Sequence, residues 1–163
     1  MGFSGQFVVA NSDQPLTTLD VFAGSVVLDR WREGSWQVLQ LDSGDQIDPE
    51  AVLESTGTPC MFVHVYDSDV GVVGGLSLSG HDWSAVLDLK TAQDYGIPLD
   101  AMGISAHGED IPAAVQWAAE TGHIASAERL THVLTKSADP FVESLFWELA
   151  EALGFSFRDD GAI

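Results

Sequence analysis

Three aspartates, Asp42, Asp45 and Asp48, recur at intervals of three around Gly44. Clustered carboxylates supply the hard oxygen donors that Ca²⁺ takes, so this stretch is the candidate cation site. Its spacing departs from that of a calcium-binding loop, and Leu53 stands where a closing bidentate Glu would be needed. Turn and helix-cap chemistry accounts for the same three residues. A second pair, Asp67 and Asp69, flanks Ser68. In an extended segment these two carboxylates face the same way, and such pairs do acid–base work when burial splits their pKa values. A hairpin turn is exposed, which makes turn formation the plainer role.

The five histidines, His64, His81, His107, His123 and His132, give no ligand-spaced pair on one helix. His64 sits inside an apolar run and reads as a core residue. His81-Asp82 is the remaining acid–base candidate. Cys60 falls in an apolar segment with no basic neighbour to lower its pKa, so it does not read as a nucleophile. The run Gly75–Gly80 has Ser79 where a nucleophile elbow carries its second Gly. Gly71, Gly74 and Gly75 lack the Lys-Ser/Thr of a phosphate loop and suit close packing or a bulge in a strand. No motif asks for a cofactor.

Charge says more than any of these groups. Over 163 residues, 25 Asp and Glu stand against 6 Lys and Arg, a formal net charge of −19. Binding nucleic acid rests on cations that neutralise phosphates. Here Arg30, Arg32, Lys90, Arg129, Lys136 and Arg158 are scattered and form no stripe. Nucleic acid and anionic membrane surfaces are therefore excluded as partners, whereas a basic protein would be attracted and its encounter accelerated. Solubility or salt tolerance is the plainer use of the same charge. No apolar run reaches the roughly 20 residues of a membrane span. The N-terminal stretch has no basic residue ahead of its apolar run, so no signal peptide is expected. With Cys60 as the sole cysteine, a reducing compartment, the cytoplasm, is the expected location.

The elements that must position these groups follow from composition and period. The length suits one domain over 1–163, strand-rich over 1–90, helix-rich over 91–154, with a short tail over 155–163. Strands are expected over 3–10, 25–31 and 35–41, the last two joined by Arg32-Glu33-Gly34 as a hairpin. In the third, Trp36, Val38 and Gln40 share one face and Gln37, Leu39 and Leu41 the other. Asp48-Pro49-Glu50 opens a short helix that stops at Gly57. Strands over 59–66, 70–78 and 83–89 with short turns form an antiparallel meander. Helices follow weakly over 91–95, then over 111–120 and 126–135. The clearest runs over 140–153, with Asp139 as cap, Pro140 at its start and Gly154 at its end. The expected fold is α+β: an antiparallel sheet of five or six strands covered on one face by the C-terminal helices.

In that last helix Phe141, Val142, Leu145, Phe146, Leu149, Ala152 and Leu153 span an apolar arc. Glu143, Ser144, Glu148 and Glu151 lie opposite, and Trp147 falls among them. An exposed Trp flanked by carboxylates is a contact anchor, and Trp147 with Glu143, Glu148 and Glu151 is the candidate partner-binding patch. The plainer placement is under the tail, against Phe155 or Phe157.

The opening Met1–Ala10, Ser12-Asp13-Gln14-Pro15-Leu16 and the segment Gly34–Asp42 resemble a group of small acidic actinomycete proteins, and the likeness extends through Tyr66–Asp69 and Tyr95–Pro98. That resemblance brings no catalytic residue. A looser likeness, in size, acidity and mixed make-up, is to bacterial toxin-neutralising (immunity) proteins. It implies a protein-binding module that neutralises a basic partner such as a toxin. Two other readings stand beside it. One is a small-molecule hydrolase or transferase using His81/Asp82 or Asp67/Asp69. The other is a self-associating domain in which Trp147 meets its symmetry mate.

Overall fold

The central strand of the molecule is its first. In β1 (Gly5–Asn11) the run Gln6–Ala10 is buried throughout, because hydrogen-bonded neighbours flank it and both of its faces are covered. The computed structural model describes residues 2–42, 47–105 and 108–159. Among them β2 (Val27–Glu33), β3 (Trp36–Asp42), β4 (Cys60–Tyr66), β5 (Val70–Leu76), β6 (Trp83–Leu87) and β7 (Arg158–Asp159) complete an antiparallel sheet of order β6-β5-β4-β1-β3-β2-β7. Six strands are long, as the sequence predicts. The seventh is a two-residue piece of the tail, laid against Trp31 and Arg32, too short to show a period in sequence. The meander β4–β5–β6 is present in full register.

Alternation along the strands sorts the core into two layers. On one face Phe7, Val9, Val38, Val63 and Val73 meet α3 (Ile111–Glu120), α4 (Ala127–Leu134) and α5 (Val142–Ala152) through Trp117, Leu130, Phe146 and Leu149. This is the expected cover of C-terminal helices. The other face is covered as well. Val8, Leu39 and Phe62 pack on Val52 of α1 (Pro49–Thr56) and on Leu16 and Phe22 from two single 3₁₀ turns. Val70 and Val86 pack on Ala92 of α2 (Leu89–Asp94) and on Leu99. Each of these short elements buries only one or two apolar residues, too few to set up a period in sequence.

The polar residue that breaks the alternation of β3 has a structural task. Gln37 is buried; its Oε1 accepts from Leu16 N at 2.9 Å, and its Nε2 donates to Ser12 O at 3.0 Å and Gln14 O at 2.8 Å. A satisfied buried amide of this kind fixes the loop after β1.

Of three helix starts, one follows the predicted chemistry and two depart from it. Asp48 Oδ1 accepts from Glu50 N at 3.1 Å and caps α1, which ends at Gly57 with φ 66°. Asp88 caps α2, two residues ahead of the weak start read from sequence. The last helix was expected to open at Pro140 under Asp139. It opens instead at Val142, with Phe141 extended at the cap position. The reason is tertiary: Val142 N donates to Ser68 O at 2.7 Å, so the amide that a cap would have satisfied is bound by the β4–β5 turn. No helix among the described residues is long and apolar enough to cross a membrane.

Candidate functional site

The β4–β5 turn, which holds the first carboxylate pair, is a structural hub. Asp67 and Ser68 both lie in the left-handed region, at φ 52° and 58°, the backbone that a two-residue hairpin turn needs and non-glycine residues seldom adopt. Hydrogen bonds to distant segments hold them there. Asp67 Oδ1 accepts from Gly2 N at 2.7 Å and its own N–H donates to Ser4 Oγ at 2.9 Å. Ser68, only 2 % exposed, exchanges backbone and side-chain bonds with Phe3 and donates from Oγ to Glu143 Oε2 at 2.9 Å. Asp69 accepts from the hydroxyl of Tyr95. Asp67 and Asp69 are thus brought to one turn as expected, but their bonds anchor the N-terminal segment and α2.

The second acid–base candidate is spread over a loop. Asp82 Oδ1 accepts from Ser77 N at 2.8 Å and closes the β5–β6 connection. The loop's other carboxylate partner is Glu120, at the end of α3. Glu120 accepts from Ser77 Oγ at 2.7 Å and Leu78 N at 3.1 Å. Burial pushes its pKa up, but the bonds from Ser77, Leu78 and Ser79 and the nearby His81 outweigh that and hold it below the ordinary value. The loop is latched onto α3 by this carboxylate.

A third constellation was not anticipated. Thr121 Oγ1 lies 2.9 Å from His123 Nδ1, and His123 Nε2 lies 2.5 Å from Glu33 Oε1. Hydroxyl, imidazole and carboxylate in line are the parts of an activated nucleophile. Here the Thr121 hydroxyl donates to Ala118 O at 2.6 Å, the imidazole stacks on Phe155 at 3.8 Å, and Glu33 Oε2 accepts from Ser156 N at 2.6 Å. The relay clamps the tail to the end of β2. Sequence gives no signal for it, because Glu33 and His123 are 90 positions apart.

Trp147 corrects the expectation of an exposed anchor. It is half-buried, with its ring edge-on to Trp31 at 4.5 Å, Phe146 at 4.7 Å and Phe7 at 5.9 Å. Phe155 and Phe157 line a shallow cleft beside it, but its ring contacts are to β1, β2 and α5. The helical wheel places Trp147 opposite the apolar arc; the projecting edge of β2 supplies Trp31 on that side. The flanking carboxylates are also engaged: Glu148 with Lys136 at 2.9 Å, Glu151 with Arg129 at 3.3 Å, and Glu143 with Ser68. Glu148 and Glu151 share a groove of about 280 Å³ with Glu128 and His132 between α4 and α5; Glu143 lies at the β4–β5 turn instead.

Of the candidate cation ligands, Asp48 is occupied as a cap and Asp42 ends β3, exposed. Asp45 lies outside the described residues, as does His107. Among the described residues no three His, Cys, Asp or Glu side chains are grouped to hold a metal. A cleft of about 330 Å³ between α2 and α4 is lined by Asp88, Leu89, Ile111 and both lysines of the chain, Lys90 and Lys136. Each lysine is drawn to a carboxylate of its own, Asp94 or Glu148, and Asp88 is bonded to Thr91 N and Ala138 N. Among the described residues the cleft therefore offers no converging catalytic groups.

Cys60 is buried, and burial first, then the charges of Glu50 and Asp82, pushes its thiol up to about 12. The folded protein is expected to resist a thiol-labelling reagent at about pH 8, where the thiolate is needed for reaction, and to react fully in denaturant. Rapid stoichiometric labelling of the native protein would contradict this placement. No family model, curated protein or solved structure matches the chain.

Proposed function

We propose that the chain is a protein-binding module for a basic protein partner, which it neutralises by covering, as an immunity protein covers a toxin. One observation carries the reading. The net charge is −19, yet among the described residues the carboxylates of both acid–base candidates and the Glu33–His123 pair hold the fold: Asp67 and Asp69 the turn, Asp82 its loop, and Glu33 and His123 the tail. Surplus charge without a reactive centre is suited to steering and orienting another macromolecule. Two areas group carboxylates: the α4–α5 groove, where Glu148 and Glu151 are paired with Lys136 and Arg129 beside Glu128, and the β4–β5 turn, whose bonding partners are neutral or acidic. The buried Cys60 suits work in a reducing compartment such as the cytoplasm.

The test is capture from native lysate, followed by rebinding with the purified captured protein. The reading expects a strongly basic partner whose affinity falls at least tenfold between about 50 mM and about 0.5 M salt. A partner that is neutral or acidic, or an affinity unmoved by salt, overturns it.

A further inference from the structure

Eight large apolar side chains stand exposed among the described residues, and the three aromatic ones, Tyr66, Tyr95 and Phe141, all border the β4–β5 turn. Their exposures are 41 %, 52 % and 53 %, so each ring keeps about half its surface in water. Their positions are fixed by bonds to that turn. Tyr66 ends β4, and its carbonyl accepts from Asp69 N at 2.9 Å. The Tyr95 hydroxyl donates to Asp69. Phe141 directly precedes Val142, whose N–H is held by Ser68 O at 2.7 Å.

The same turn carries the carboxylates of Asp67 and Asp69, the latter bonded to Tyr95. Their donors, Gly2 N and the Tyr95 phenol, are neutral groups. Glu143 adds a third carboxylate, bonded to Ser68. The described residues bonded to the turn, Gly2, Phe3, Ser4, Tyr95, Val142 and Glu143, include no base. The phenol of Tyr95 registers the local field. Its bond to Asp69 first, then desolvation and the charges of Asp69, Asp67 and Asp88, raise its pKa above the ordinary value.

Exposed aromatic faces and carboxylates have one ligand chemistry in common. A guanidinium stacks on the ring face and forks onto the carboxylate, which an ammonium does less well. The Tyr95 ring is held by its hydroxyl, and the backbone at Tyr66 and Val142 is bonded at the turn, so part of the order is in place before binding. We propose that the β4–β5 turn, with Tyr66, Tyr95 and Phe141 set around Asp67 and Asp69, is the docking surface for an arginine-bearing segment of a protein partner. This rests on the basic-partner reading and selects the turn over the α4–α5 groove.

The probes are a short oligo-arginine peptide and an oligo-lysine peptide of equal length, titrated into the full chain at about 50 mM salt while backbone amide shifts are followed. The expected result is saturable binding with the largest shifts over 66–70, 95 and 141–143, and several-fold tighter binding of the arginine peptide. Tyr66→Ser with Phe141→Ser should weaken arginine binding about fivefold or more. Glu128→Gln with Glu151→Gln, in the groove, should leave it within about twofold. Amide spectra of each variant report that it is folded. Equal affinity for the two peptides, or binding that ignores the turn variants and falls with the groove variants, overturns the placement and leaves the basic-partner reading standing. No saturable binding of either peptide, together with no basic protein captured from lysate, overturns both.

Discussion

Replacing Phe146 by alanine is expected to remove about 3–5 kcal/mol of folding stability, the usual cost of deleting a buried aromatic ring. Phe146 is fully buried and stacks on Phe7 with ring centroids 4.1 Å apart and planes 8° apart. Phe7 belongs to the central strand, so this contact ties α5 to the middle of the sheet. The same ring supports Trp147 at 4.7 Å, and Trp147 supports Trp31 on β2. Deleting it opens a cavity bordered by two further aromatic side chains, Phe7 and Trp147. A domain of this size has about 5–15 kcal/mol in total, so the variant should show a large drop in urea midpoint. Glu148→Gln on the same helix breaks only the half-exposed ion pair with Lys136 and should cost under about 1 kcal/mol. Comparable losses in the two variants would mean that α5 is not anchored through Phe146.

The elements and their order were legible because each carries its own local physics. Asp48-Pro49 and Gly57 bound α1 through a cap, a proline-compatible first turn and a left-handed exit. The alternation of β3 and the apolar run of β4 locate those strands to within a residue or two. What escaped were features decided by contacts between distant segments. Phe141 to Val142 opens α5 late because Ser68 supplies the bond that Asp139 was expected to supply. Trp147 looked exposed because a helical wheel counts only its own helix, while Trp31 approaches from β2. The candidate site divides in the same way. The pairing of Asp67 with Asp69 across a turn is local and was read correctly. Tyr95 and Phe141 come to that turn across 26 and 73 positions respectively, and nothing in either segment announces the meeting.

The second large effect concerns a residue without a side chain. In β5, Gly75 stands opposite Trp83 of β6 and Met61 of β4, and the Trp83 indole lies across its α-carbon. A methyl group at Gly75 would sit 2.1 Å from the indole Nε1 and within 2.7 Å of two further ring atoms. The ring cannot swing out: Trp83 is 4 % exposed and lies edge-on to the buried Trp117 at 5.9 Å, whose own indole is tied to Leu76 O at 2.9 Å. Gly75→Ala is therefore expected to destabilise by roughly 1–3 kcal/mol, the cost of overpacking a filled core. The neighbouring Gly74 points to the other face, where an added methyl meets nothing within 4 Å. Gly74→Ala should be neutral or stabilise by up to about 1 kcal/mol, because it lowers the entropy of the unfolded chain. The pair separates a steric cause from any general intolerance of side chains in β5. A third variant identifies the clash itself: with Trp83→Leu already in place, Gly75→Ala should cost far less than in the native background, giving a coupling of about 1 kcal/mol or more in a double-mutant cycle. Equal urea midpoints for Gly74→Ala and Gly75→Ala, or a strictly additive cycle, would show that the indole does not occupy the space beside Gly75. The sequence reading of these glycines as close packing in a strand would then fail.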